Sequence, residues 1–414
     1  MKQIFLYFGF LFSILITQSV YAQIFTNYTT SDGLLDDNVI CLDIDTADNV
    51  WFGTQNGISK FDGTSWTSFT QNTYPGLIDN NINTILVASD DRVWVGTDFG
   101  ISVFNGTSFT SFTSADGLGN NRVNHIAEDI NGVIWFGEFS GVTKYDGTTF
   151  TAYSISDGLP FGGVKHIGFD SNNDAWFATA LGGVVKYDGT TFTTISTPQG
   201  LLHNVANSLV IDNQNNKWVG TASGVSVINN AGQVFEHHTR MYIMPPPDTL
   251  NPVEDIDMDG QGRIWVGIYV DYLVTVGGVS MYDGTQWIDY DVSDGLVSPV
   301  IRQLDIDSQD NVWVVTSNGV SKISSLPNSL IDIQHNEVPF KIFPNPASDF
   351  LNVQFDNSAT AAYRDVSIYS VSMQLISQLN VAGYEIEFRL PLNGLEPGFY
   401  FIRIDNEISS FIIH

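Results

Sequence analysis

The 414-residue chain has one cysteine, Cys41, so no disulfide within the chain can brace it. It is also poor in positive charge. Lys and Arg number 16 against 45 Asp and Glu, a formal charge of −29. A field of that sign repels phosphate backbones and acidic polysaccharides, which argues against nucleic acid as a partner and leaves neutral glycans, peptides or cations. Beyond residue 22 no apolar run is long enough to span a membrane, so no transmembrane segment is expected after signal cleavage. No nucleophile motif of a recognised kind occurs, and no catalytic residue is assigned.

Residues 1–22 hold one charge, Lys2, an apolar run from Ile4 to Ile16, and small residues leading to Ala22. They read as a secretory signal, with Gln23 as the first mature residue. The expected location is therefore outside the cell or on its outer surface, reached through the periplasm.

What the sequence has in abundance is a repeat. Trp51, Trp94, Trp135, Trp176, Trp218, Trp265 and Trp313 each close a short apolar strand, at spacings of 43, 41, 41, 42, 47 and 48 residues. A Gly-Val/Ile-Ser stretch, an Asp-Gly-Thr turn and an aromatic strand follow most of them. A unit of that length holds four short strands and cannot bury both its faces, so neighbours must stack. The expected fold is all-β, a seven-bladed β-propeller over residues 23–325. A linker at 326–337 and a small C-terminal β-sandwich at 338–414 follow it.

The seventh unit has strands at Ile301–Ile306, 311–315 and 319–323 but no fourth strand before Ser324-Ser325-Leu326-Pro327. The missing strand stands at the other end, in Ile24–Thr29 ahead of Ser31-Asp32-Gly33-Leu34. The N-terminal strand is therefore expected to complete the last blade and remove an open sheet edge. Asp45, Asp129, Asp170, Asp212, Asp259 and Asp307 each lie six residues before their tryptophan, where they are expected to cap the first hairpin; the second unit has Ala88 instead. Asp255-Ile256-Asp257-Met258-Asp259-Gly260 matches the start of a calcium loop, but the twelfth position is Val266, not an acid. No cofactor is expected, and calcium at that segment is the one alternative.

The segment from Asn49 through Trp51-Phe52-Gly53-Thr54 to Asp62-Gly63-Thr64, with its recurrences, resembles the two-component-regulator propeller repeat over roughly residues 24–325. That family is known for periplasmic sensor halves of hybrid kinases that respond to glycans. The resemblance implies recognition of an extracellular ligand; no kinase accompanies the repeats here. Ile342-Phe343-Pro344-Asn345-Pro346, Val366-Ser367-Ile368-Tyr369 and Leu395-Glu396-Pro397-Gly398-Phe399-Tyr400 resemble the C-terminal sorting domain of type IX secretion, which implies the machinery of that system as a partner. Met373 in place of a turn glycine and the lack of a late lysine depart from that family's pattern.

Two candidate sites follow. Insertions stretch one D–A connection and one B–C loop, placing Arg240, Tyr242, Tyr269, Asp271 and Tyr272 on a common face as a ligand-binding rim. Aligning the innermost strands sets Cys41, Thr84, His125, His166, Ser208, Asp255 and Gln303 at one position facing the central channel, Cys41 as a buried inert thiol. His125, His166 and Asp255, with Glu138 nearby, are the channel cluster. The leading function is a secreted or cell-surface recognition module for a glycan or protein. The alternatives are a lyase resembling the streptogramin lyases, which also carry Trp-Phe-x-Glu segments like Trp135-Phe136-Gly137-Glu138, and a structural adhesin.

Overall fold

A computed structural model describes residues 23–240, 252–268, 277–325, 340–343, 347, 349–355, 363–370, 375–382, 387–392, 394–395, 398–404 and 407–413. Its contacts divide the chain into a unit over Phe25–Ser324 and a second built from Ser325 onward.

The third repeat shows how each blade forms. Its strands A to D are Val123–Glu128, Ile134–Glu138, Val142–Tyr145 and Phe150–Tyr153, paired antiparallel in that order. Strand B is buried along its whole length, because both its faces are covered by neighbouring sheets. Asp129 caps the A–B hairpin as expected: its carboxylate accepts the backbone N–H groups of Asn131 and Val133 and the Trp135 indole at 3.4 Å. In the second repeat Ala88 offers no carboxylate, and the Trp94 indole nitrogen has no partner. The C–D turn uses Asp146 to accept the N–H groups of Thr148 and Thr149, with Gly147 at φ 95° where a Cβ would be strained.

Six other four-stranded sheets repeat this plan, which gives seven blades. Neighbours are latched at their A–B turns. Asp48, Asn173, Asn215 and Asp310 adopt left-handed backbone, which Asn and Asp tolerate. Each turns its side chain to an N–H of the preceding blade's turn, that of Ser308, Ile130, Ser171 and Gly260 in the same order, at 2.8–3.2 Å.

The ring closes as the sequence implies. Gln23–Tyr28 is the outer strand of the seventh blade, beside Gly319–Ser325. The Asn27 amide donates to the Gly295 carbonyl at 2.9 Å and accepts from the Ser321 hydroxyl at 2.7 Å. Tyr28 stacks on Trp313 of blade 7 and meets Trp66 of blade 1 edge-on.

In the C-terminal unit, a three-stranded sheet holds Phe340–Phe343, Phe350–Phe355 and Glu387–Pro391. A four-stranded sheet holds Leu375–Ala382, Tyr363–Ser370, Gly398–Ile404 and Glu407–Ile413. Leu351, Val353, Val366, Ile368, Ile402 and Phe411 join one buried core shared by both sheets, as a small sandwich requires.

Candidate functional site

Strand A lines the axis of the propeller, and in six of the seven blades a bulge interrupts its pairing with strand B just before the middle residue. His125, His166, Asp255 and Gln303 line two cavities at once. They form a waist between a basin of about 390 Å³ on the side of the B–C turns and a cavity of about 490 Å³ on the side of the A–B turns. Thr84 belongs to the basin wall. Cys41 and Ser208 instead pack on the glycines of strand B, Gly53 and Gly220, and are buried. Burial pushes the Cys41 thiol far above its ordinary value, which fits an inert core group.

The histidines do meet. Their ring centroids are 4.0 Å apart at 39°. His125 Nδ1 accepts the Ile167 N–H at 3.3 Å, so the neutral ring carries its proton on Nε2. His166 Nδ1 has no partner. Burial holds His125 well below the usual range, with His166 adding to it, and lowers His166 to about 4. Both imidazoles are therefore neutral at neutral pH, as donors and acceptors rather than acids.

Asp255 accepts the Leu304 N–H at 3.0 Å and Gln303 accepts the Leu42 N–H at 3.1 Å. Together with His125 they share a role that strand alignment did not reveal. Each takes up a backbone donor of the next blade. The segment Asp255–Gly260 forms a strand and its hairpin turn, with Asp259 holding Arg263 and the Trp265 indole. Among the described residues, no group of three or more His, Cys, Asp or Glu is placed to hold a metal ion.

Glu138 is not brought to the histidines. It lines neither cavity; its carboxylate accepts from Thr143 at 2.7 Å and from the backbone of Asn120 and Gly119. It occupies the place held by threonines such as Thr54 and Thr97, whose hydroxyls bond the glycine carbonyl of the same turn. Burial pushes Glu138 up to about 7. Of the expected rim, Arg240 is exposed, and Tyr242, Tyr269, Asp271 and Tyr272 lie outside the described residues.

Two groups of residues escaped the sequence reading. Asp43, Asp257 and Asp305 lie two residues beyond the waist position on the adjacent blades 1, 6 and 7, and line the A–B cavity. Burial raises all three above the ordinary carboxylate range, with repulsion from Asp45 adding at Asp43, from Asp259 and Asp43 at Asp257, and from Asp43 and Asp257 at Asp305. The basin, one residue before the waist position, carries Asn83, Asn124, Lys165, Asn207, Glu254 and Arg302, with Arg122 and Phe139 at its lip. Lys165 donates to Asn207 at 2.6 Å. Burial raises Glu254, against the pull of Lys165 and Arg302. The strand register reaches both groups, one residue before the waist position and two beyond it.

Residues 341–413 match the secretion system C-terminal sorting domain, and residues 76–99 and 117–139 match the two component regulator propeller. No curated protein matches the sequence. The extracellular domain of a hybrid two component system from B. thetaiotaomicron superposes with a TM-score of 0.62 at 19% identity, covering 94% of this chain and 57% of that one. PorZ, a surface component of the type-IX secretion system of Porphyromonas gingivalis, gives 0.60 at 17%, covering 92% and 60%. Virginiamycin B lyase from Staphylococcus aureus gives 0.58 at 15%, covering 73% and 100%. The chain thus spans less than two thirds of the length of the first two. At these identities the likeness is one of fold. The chain is a seven-bladed β-propeller with two-component-regulator repeats, followed by a type IX secretion sorting domain that places it outside the cell or on its surface.

Proposed function

We propose that this protein is an exported, non-catalytic recognition module whose ligand, a glycan or a protein, seats in the basin at the B–C end of the channel. The sorting domain implies that it engages the type IX machinery on the way out. One observation carries the binding reading. The basin is concave, sits at the mouth of the channel, and gathers amides, three basic side chains and an exposed aromatic ring around about 390 Å³. By sequence, the connections that contain Arg240, Tyr242, Tyr269, Asp271 and Tyr272 belong to the same face and extend the rim.

A lyase would need an acid and a base within reach of one substrate. Glu138 is engaged elsewhere, and both channel histidines are neutral and weakly basic. The arrangement supports binding better than proton transfer.

The test is to screen the full chain against glycan and extracellular-protein arrays and repeat the positive interactions with Lys165→Glu/Arg302→Glu. Reversal of two charges in the basin should weaken binding at least tenfold. Unchanged affinity in a folded double variant would place the ligand elsewhere.

A further inference from the structure

The outer strands share a pattern that one of them breaks. In six blades an aromatic residue, Phe25, Trp66, Phe109, Phe150, Phe192 or Trp287, stands three places before the end of the strand and is buried or half-buried. The same place in blade 5, in the strand Val234–His238, belongs to Phe235, which is 55% exposed. The pairing shows why. Phe61, Phe104, Tyr145, Tyr187 and Tyr282 of strand C lie directly opposite the aromatic residue of their own blade. In blade 5, Val227 lies opposite Glu236 but Ile228 lies opposite Val234. Phe235 is therefore the extra residue of a bulge, and its side chain is thrown outward.

Val234 holds the vacated place with a smaller group. A Cβ on Gly200 would stand 3.5 Å from the Val234 Cβ, as one on Gly117 or Gly158 would stand 3.2 or 3.3 Å from the Cβ of Phe150 or Phe192. The junction of blades 4 and 5 is short of hydrocarbon as a result. Trp135 shares its cluster with Tyr153, Tyr187 and Phe192, and Trp313 with Tyr28, Phe61 and Trp66. Trp176 has Ile195, Ile228 and Val234 at those three places. Beside it opens a pocket of about 300 Å³, walled by Trp176, Ile195, Gln199, Asn230, Ala231 and Gly232. A cavity of roughly 150 Å³ holds a benzene ring, so a phenyl group fits.

We propose that the outer strand of blade 5 has two registers, and that Phe235 exchanges between solvent and the pocket beside Trp176 as a strap built into the strand. Moving the bulge by one residue sets Phe235 opposite Ile228 and passes Val234 to the turn. Glu236, His237 and His238 keep their partners, so the shift ends inside the strand. The turn gives up the bonds between Asn229 and Gln233, from the Asn229 N–H to the Gln233 carbonyl and from the Gln233 N–H to the Asn229 side chain, both 2.9 Å. Burial of a phenyl ring is of the same order as two such bonds, which lets both registers be populated. The outward register leaves the pocket open. The inward one fills it and completes the aromatic cluster that other junctions have.

The para-trifluoromethyl analogue of phenylalanine in place of Phe235 of the full chain, read by fluorine NMR with a soluble paramagnetic agent, tests this. The label should be partly protected from the agent, as two resonances or as one averaged resonance. Deleting Val234 removes the residue that the bulge needs, and should protect the label fully. Thr194→Trp, which fills the pocket from its exposed wall, should leave the label fully open to the agent. Thermal melting establishes that each protein is folded, and if the deletion variant is not, the parent and Thr194→Trp decide between them. Equal protection in the parent and Thr194→Trp, or a parent as fully protected as the deletion variant, overturns the exchange.

Discussion

Replacing Asp255 by Asn should make the propeller more stable at alkaline pH while leaving its structure intact. Asp255 is 7% exposed in the waist, and burial, with Asp257 and Glu254 adding repulsion, pushes it up to about 7 from 3.8. Its folded pKa lies above the unfolded one, so the stability tied to its protonated form is full below pH 3.8 and is lost as pH rises through 7. A rise of that size corresponds to at most about 4 kcal/mol of stability lost by pH 8, less where channel water screens the charge. Asparagine keeps an oxygen to accept the Leu304 N–H and cannot ionise. All nine tryptophans fall between Trp51 and Trp313, so denaturant unfolding followed by tryptophan fluorescence reports the propeller alone. The stability of Asp255→Asn minus that of the parent should climb by about 2–4 kcal/mol from pH 4 to pH 8. A difference that stays flat across that range would show that the carboxylate ionises freely, and would refute the description of the waist as a desolvated ring.

Other expectations concern what holds the ring together. Deleting residues 23–30 strips the outer strand from blade 7, and should cause aggregation or lower the melting midpoint by on the order of 10 °C; a neutral deletion, read by scanning calorimetry, would contradict the closure. Asp170 binds both the Trp176 indole at 3.0 Å and the fully buried Lys217 ammonium at 3.1 Å. Asp170→Ala strands that charge and should cost about 3–5 kcal/mol in denaturant unfolding, whereas Asp129→Ala, whose site holds no such cation, should cost about 1–2 kcal/mol.

The blades could be read in the sequence because their signals are local and repeated. An Asp six residues before a Trp caps a hairpin whichever blade it serves, and Ala88 left its mark as the unpaired Trp94 indole. The join between residues 23–28 and blade 7 was legible because the seventh repeat ends one strand short. The site was legible only in part. Strand register brought His125 and His166 together, since identical positions in adjacent blades must be neighbours. It could not tell that Ser208 and Cys41 would lean onto glycines while His125, His166, Asp255 and Gln303, at the same bulge in their own blades, line the channel. Glu138 looked like a channel acid because it follows Trp135-Phe136-Gly137, but the strand turns it toward Thr143. The exposed Phe139 and Phe161 sit in turns of ordinary composition, and only their exposure in three dimensions sets them apart.

The strand that seals blade 7 is the first of the propeller to be synthesised, and its partner Gly319–Ser325 is the last. Asn27 and Ser321 therefore cannot bond until every repeat between them has been made. Until then the seventh sheet presents a bare rim, so a chain halted midway through export is one hydrogen-bonding partner short and cannot lock. An unfastened ring is pliant, and it becomes rigid only when both its ends stand on the same side of the membrane.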